Sequence, residues 1–280
     1  MTKFFRTMFH EIFIEPLEND FMRNALATIV LVGIGSALLG CYVLLRRSVF
    51  ITAALSHTIL PGVVAAAMLG ISLYWGALTA ALATAICVGW LSAQKKVGED
   101  AAIGVTLSFM FALGILLMTL TQSFRDFTNL LFGSVLGATS GDLAFAAGAT
   151  AAVLIFFAVA RKILKLSTCD PEYAELINAR PKLLQIVFLG FVALVAVSSV
   201  RIVGALLTTA LLVIPAATAN LLARSVSQMM VLACIFSVAT VTIGLYCSYH
   251  FDRVPAGAAV VAAESALFFV CWFIRKIKTA

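Results

Sequence analysis

Apolar runs, most of them close to twenty residues long, recur along this chain. They lie near 25–45, 53–70, 73–93, 101–120, 143–160, 183–200, 202–214, 228–250 and 257–274, with short polar connections between them. A run of that length crosses roughly 30 Å of hydrocarbon as a helix. Inside a bilayer only a helix or a closed barrel satisfies its own backbone polar groups. The pattern therefore predicts an all-α, polytopic helical membrane protein of about nine transmembrane helices. The seventh run is short enough to be half a helix. Ahead of the first run, Phe4, Phe5, Met8, Phe9, Ile12 and Phe13 share one helical face. They predict an interfacial segment over 1–24, followed by a transmembrane domain over 25–280.

Composition sharpens this picture. The 280 residues are 62% hydrophobic and only 11% charged, against about 25% charged in soluble domains. No cleavable leader is expected, because Glu11, Glu15, Glu18 and Asp20 interrupt the first 24 residues. The net charge of +6 sits in short loops, where it sets topology and is not read as nucleic-acid affinity. With the N-terminus outside, 13 of the 19 Lys and Arg residues fall on the cytoplasmic side, which predicts an N-out, C-in arrangement. Six cysteines form no CxxC pair and read as small packing residues. Over 121–142, Gly133, Gly137 and Gly141 repeat a small-xxx-small spacing that suits a short or re-entrant element packed on protein. The longest polar connection, 161–182, is cytoplasmic on this count, and Asp170 before Pro171 marks the start of a short surface helix.

Few residues carry chemistry. His57 precedes Pro61 by four residues in an apolar segment. Proline has no N–H for the carbonyl four residues back, so a kink is expected at His57, with its carbonyl left without a helix partner. An imidazole beside such a carbonyl suits a polar solute or a metal ion; a packing histidine beside an ordinary kink is the alternative. Ser56 and Thr58 are expected to bond back to helix carbonyls. Glu264 is the one acid inside a predicted span and should face the bundle interior or a cavity. It is either a cation ligand or a protonated, hydrogen-bonded carboxyl. Glu99 and Asp100 sit where a helix N-terminus favours acids. Pro215 follows an apolar run and precedes Ala216, Thr218, Asn220 and Arg224. It fits the start of a short cytoplasmic helix that touches a partner, or else a plain kinked span. No G-x-x-x-x-G-K-[ST] motif occurs, so any ATP that drives the chain is bound elsewhere.

Several segments together resemble the membrane permease subunit of bacterial zinc, manganese or iron ABC importers. They are Leu44-Leu-Arg-Arg, Ala54-Leu-Ser-His57, Leu60-Pro-Gly62, Gly98-Glu-Asp100-Ala-Ala-Ile-Gly104, Phe109-Met-Phe-Ala-Leu-Gly114 and Leu131-Phe-Gly133-Ser-Val-Leu-Gly137. Asp170-Pro-Glu172, Val203-Gly204-Ala-Leu-Leu, Leu212-Val-Ile-Pro215-Ala-Ala-Thr218-Ala and Val254-Pro255 complete the succession. The resemblance covers about 25–275. It implies a fold similar to the core of vitamin B12 and siderophore importer permeases, in the bacterial cytoplasmic (inner) membrane. It also implies an ATP-binding cassette ATPase, an extracytoplasmic metal-binding protein and a second permease subunit, identical or related. The divalent metal would be transported substrate, with no permanently bound cofactor. His57 would be its ligand, and the segment from Pro215 to Arg224 the coupling helix against the ATPase. The family pattern places an aspartate four residues before the histidine. Here that position is Ala53, which removes half of a two-ligand foothold. A permease for a metal chelate and an ion-coupled secondary carrier are the competing readings.

Overall fold

The computed structural model describes residues 18–94, 97–121, 137–176, 181–251 and 254–279. The predicted interfacial helix before residue 18 and most of the predicted re-entrant element (122–136) lie outside them. Among the described residues the chain is helical throughout: α1 (Asp20–Leu45), α2 (Val49–Thr58), α3 (Leu60–Leu69), α4 (Leu73–Ser92), α5 (Glu99–Thr121) and α6 (Ser140–Cys169). The remainder are α7 (Pro171–Leu176), α8 (Pro181–Val203), α9 (Ala205–Leu222), α10 (Val226–His250) and α11 (Ala256–Thr279). Every apolar run read from the sequence is helical, the second broken at Ile59 and the seventh crossing Gly204 between α8 and α9. Eight segments are long and apolar enough to span a bilayer, with α2 and α3 together forming the 21-residue span Val49–Leu69. The apolar part of α9, Leu207–Leu222, is the shorter ninth. The first span starts at Asp20, earlier than the apolar run alone indicates.

The bundle is organised around α1, which packs on α6, α8, α9 and α10. Its side chains are enclosed where the polar faces of soluble helices would be open. Ile29, Ala37, Leu39 and Cys41 all have no exposure. Close approach depends on small residues, as expected where lipid supplies no hydrophobic drive between helices. A Cβ on Gly40 would lie 1.7 Å from the Leu212 carbonyl oxygen of α9. One flank of α1 carries α9, α10 and α11, and the other carries the α2–α5 group with α8 between. Within that second group α3 and α4 cross backbone to backbone: a Cβ on Gly62 would meet the Gly76 carbonyl oxygen at 2.0 Å.

Helix ends are fixed by polar groups the sequence spaces for them. Thr139 and Asp142 form a reciprocal capping box at the start of α6. Tyr74 of α4 donates its hydroxyl to the same Asp142 carboxylate, tying α4 to α6. Asp170 accepts from the Tyr173 N–H and caps α7, as its place before Pro171 predicts.

Two expectations need correction. The kink falls at Ile59, two residues beyond His57, because α2 continues to Thr58 and Pro61 sits in the first turn of α3. The His57 carbonyl lacks its ladder partner, as expected, because Pro61 has no N–H; it faces the Ile59 N–H two residues on. Pro215 does not begin a new helix: it lies inside α9. A proline removes one ladder bond, but Leu211, Leu212, Ala216 and Ala219 have no exposure at all. Packing on α1, α2, α8, α10 and α11 holds the helix together across the missing bond.

Candidate functional site

His57 sits on the last turn of α2, one residue before the helix ends. Its neighbours Ser56 and Thr58 bond back to the carbonyls of Thr52 (3.0 Å) and Leu55 (3.3 Å), as expected, so neither hydroxyl competes for a ligand. The imidazole is half-buried, with its ring edge-on to Phe111 of α5 at 6.1 Å and 82°. One turn on, Leu60 fills the space that Gly114 of α5 leaves open; a Cβ there would lie 2.9 Å from Leu60. The break between α2 and α3 is therefore seated on α5. Beside it lies a small apolar cavity of about 20 Å³, lined by residues such as Ile59, Val63, Tyr74 and Val200. Ala53, one turn before His57, is half-buried and offers no ligand.

Glu264 lies elsewhere. It is 1% exposed on α11, on the stripe of Ala256 and Val260 that faces α9 and α10. Among the described residues neither of its carboxylate oxygens has a hydrogen-bond partner. It faces the interior, as the cost of a charge against lipid requires. Among the described residues no group of three or more His, Cys, Asp or Glu could hold a metal ion. The described residues thus place one half-buried imidazole at the α2–α3 break, with no complete coordination sphere around it.

The 215–224 segment divides by exposure. Pro215, Ala216 and Thr218 are buried inside the bundle, and Thr218 bonds back to the Ile214 carbonyl at 2.8 Å. Asn220, Leu222 and Arg224 are exposed. The turn is shaped by a pair the sequence reading passed over. Gln228 accepts the Arg224 N–H at 2.9 Å, while Ser225 accepts the Gln228 N–H at 3.3 Å. The Ser-x-x-Gln spacing before an apolar run was the available signal.

Where the C-termini of α1 and α6 meet the N-termini of α2 and α5 lies a polar cluster that residue-by-residue reading also missed. Arg46 donates to Thr168 (Nε, 3.1 Å) and Ser167 (Nη2, 2.9 Å), and lies 5.2 Å over the Phe188 ring. Ser48 donates to Glu99 at 2.5 Å. Burial pulls the Arg46 pKa below its ordinary value, and the nearby Glu99 carboxylate works against that shift. In the sequence Arg46 registers as a topological charge and as part of Leu44-Leu-Arg-Arg, with no sign of this contact, because its partners lie more than a hundred residues away.

The model of the ABC 3 transport family matches residues 18–275. A "Probable iron transport system membrane protein" of Haemophilus influenzae is 36% identical over 265 residues, covering 95% of this chain and 97% of that one. The manganese transport system membrane protein MntC of Listeria monocytogenes is 36% identical over 262 residues, 93% of each chain. Among solved structures, PsaBC from Streptococcus pneumoniae in complex with a Fab superposes with a TM-score of 0.84. It is 31% identical, with 94% of this chain and 95% of that one covered.

Proposed function

The chain belongs to the ABC 3 transport family, and from that membership we propose how its geometry works as a metal gate. It is the transmembrane permease subunit of an ABC importer for a divalent transition metal, a multi-pass protein of the bacterial inner membrane. The relatives named above are assigned to iron and to manganese. A lone imidazole suits zinc, manganese and iron alike, and affinity order does not by itself select among them.

The transient metal contact is assigned to His57. The observation that carries this is its position at an interrupted helix: half-open, at the break before Pro61, with its ring steadied by Phe111. Glu264 is excluded from that contact because it is closed off behind α9 and α10. One imidazole does not complete a coordination sphere, so the remaining ligands come from a second permease subunit, identical or related, or from water. Weak, incomplete coordination suits a path, since a site on it must release what it binds. A binding protein delivers the metal on the outer side.

Energy comes from a separate ATPase subunit, consistent with the missing phosphate-binding motif. Its contact is placed at Asn220, Leu222 and Arg224, the exposed end of the α9–α10 turn. Replacing these three together by Asp, Ser and Glu is expected to abolish co-purification of the ATPase with the permease. The permease itself should still elute as a folded species. Undiminished ATPase capture would move the docking surface elsewhere.

A further inference from the structure

We propose that Arg46 is a positioning residue that delivers movement at the cytoplasmic face to the two helices holding His57. The inference rests on the permease reading above and adds a route that reading does not contain.

The geometry begins with a tight turn. Between α1 and α2 the chain reverses through Arg47, the one non-glycine residue with positive φ (60°) among the described residues. On either side of it, Arg46 and Ser48 reach in different directions. Arg46 crosses to the last turn of α6, where both acceptors are hydroxyls that pass the bond onward. Ser167 and Thr168 each donate to the Leu164 carbonyl, at 3.1 and 2.8 Å. Guanidinium, two hydroxyls and a C-terminal helix carbonyl thus form one connected network, with a cation where a helix C-terminus favours one. Phe188 of α8 lies beneath the guanidinium. Ser48, in turn, ties the N-terminus of α2 to Glu99, the first residue of α5.

These contacts matter because of what the helices carry. The imidazole lies on α2 and its ring partner Phe111 on α5. Both helices are joined to each other at their cytoplasmic ends by Ser48 and Glu99, and both are anchored through Arg46 to α6. Beyond the anchor, α6 runs into α7, which presents Tyr173 at 50% and Leu176 at 81% exposure. A displacement of that end by the ATPase subunit is passed along the fork of Arg46 to the base of the His57–Phe111 pair. Rigid helices transmit it upward. Arginine suits the task because its planar fork engages two acceptors at fixed geometry, which a lysine cannot.

The test uses the complete complex, with its ATPase and second permease subunit, in vesicles. Uptake of Mn²⁺ or Zn²⁺, whichever the unaltered complex moves faster, is measured alongside ATP hydrolysis. For Arg46→Gln, metal moved per ATP hydrolysed should fall about tenfold while hydrolysis stays within about twofold, the scale of one lost charge-assisted bond. Removing the acceptors instead, by Ser167→Ala with Thr168→Val, should lower the same ratio. Combining the two sets should be no worse than Arg46→Gln alone. Arg46→Lys should recover part of the ratio. If Arg46→Gln fails to assemble, the acceptor variant decides, because it leaves every charge in place. An unchanged ratio in the acceptor variant, or full additivity, overturns the proposal. Absence of ATP-dependent uptake by the unaltered complex would instead overturn the permease reading.

Discussion

Valine at position 40 is expected to prevent the bundle from forming. A side chain there would begin 1.7 Å from the Leu212 carbonyl oxygen and 2.8 Å from its carbon. The obstruction is helix backbone, which cannot rotate out of the way as a side-chain end can. The two helices would have to separate by more than an ångström along the seam that encloses Leu39, Leu211 and Leu212. Overpacking of an interior commonly costs about 1–3 kcal/mol, and more where the neighbour is rigid; the upper end or beyond applies here. Thermal unfolding of the detergent-solubilised protein, read by loss of its monodisperse elution peak, checks this. Gly40→Val should leave no folded peak, and Gly40→Ala a strongly lowered midpoint. Gly148→Ala on α6, where a new Cβ meets nothing within 4 Å, should behave as the unaltered chain.

His57→Ala should leave that unfolding midpoint nearly unchanged and yet reduce metal uptake by about tenfold or more, the order expected when metal coordination loses a contributing group. Stability is spared because the imidazole is only half-buried and has one ring contact, to Phe111. Restoring the missing carboxylate by Ala53→Asp offers the converse. Placed one turn before His57, it would share a helix face with the imidazole. Tighter binding and slower release would then follow, read as a lower half-saturating metal concentration with a lower maximal rate. Equal uptake in His57→Ala and the unaltered chain would remove the imidazole from the path.

Much of the architecture could be read in advance, for a physical reason. A bilayer demands about twenty apolar residues per crossing, and that demand writes each span into composition without help from neighbours. The break before Pro61 was legible because a missing N–H is a local fact. Its displacement to Ile59 was not, since α2 keeps its helical turn through Thr58 and Pro61 is accommodated in the first turn of α3. Pro215 shows the limit of local reasoning. The same missing N–H leaves α9 intact because Leu211 and Ala216 are wholly enclosed by other helices. Candidate chemistry followed the same division. His57 stood out as an imidazole in lipid, and Glu264 as an interior-facing acid. Arg46, by contrast, depends on Ser167 and Thr168, which no spacing rule connects to it.

On the function proposed here, this chain is a passive metal gate worked by a separate nucleotide-hydrolysing subunit. The decisive experiment is metal accumulation against a gradient in sealed vesicles. The protein would be reconstituted first without and then with its ATPase, second permease subunit and binding protein. No concentrative uptake is expected without the ATPase, and ATP-dependent accumulation with it. Accumulation by the chain without an ATPase, or no accumulation by the full assembly, would rule the gate out.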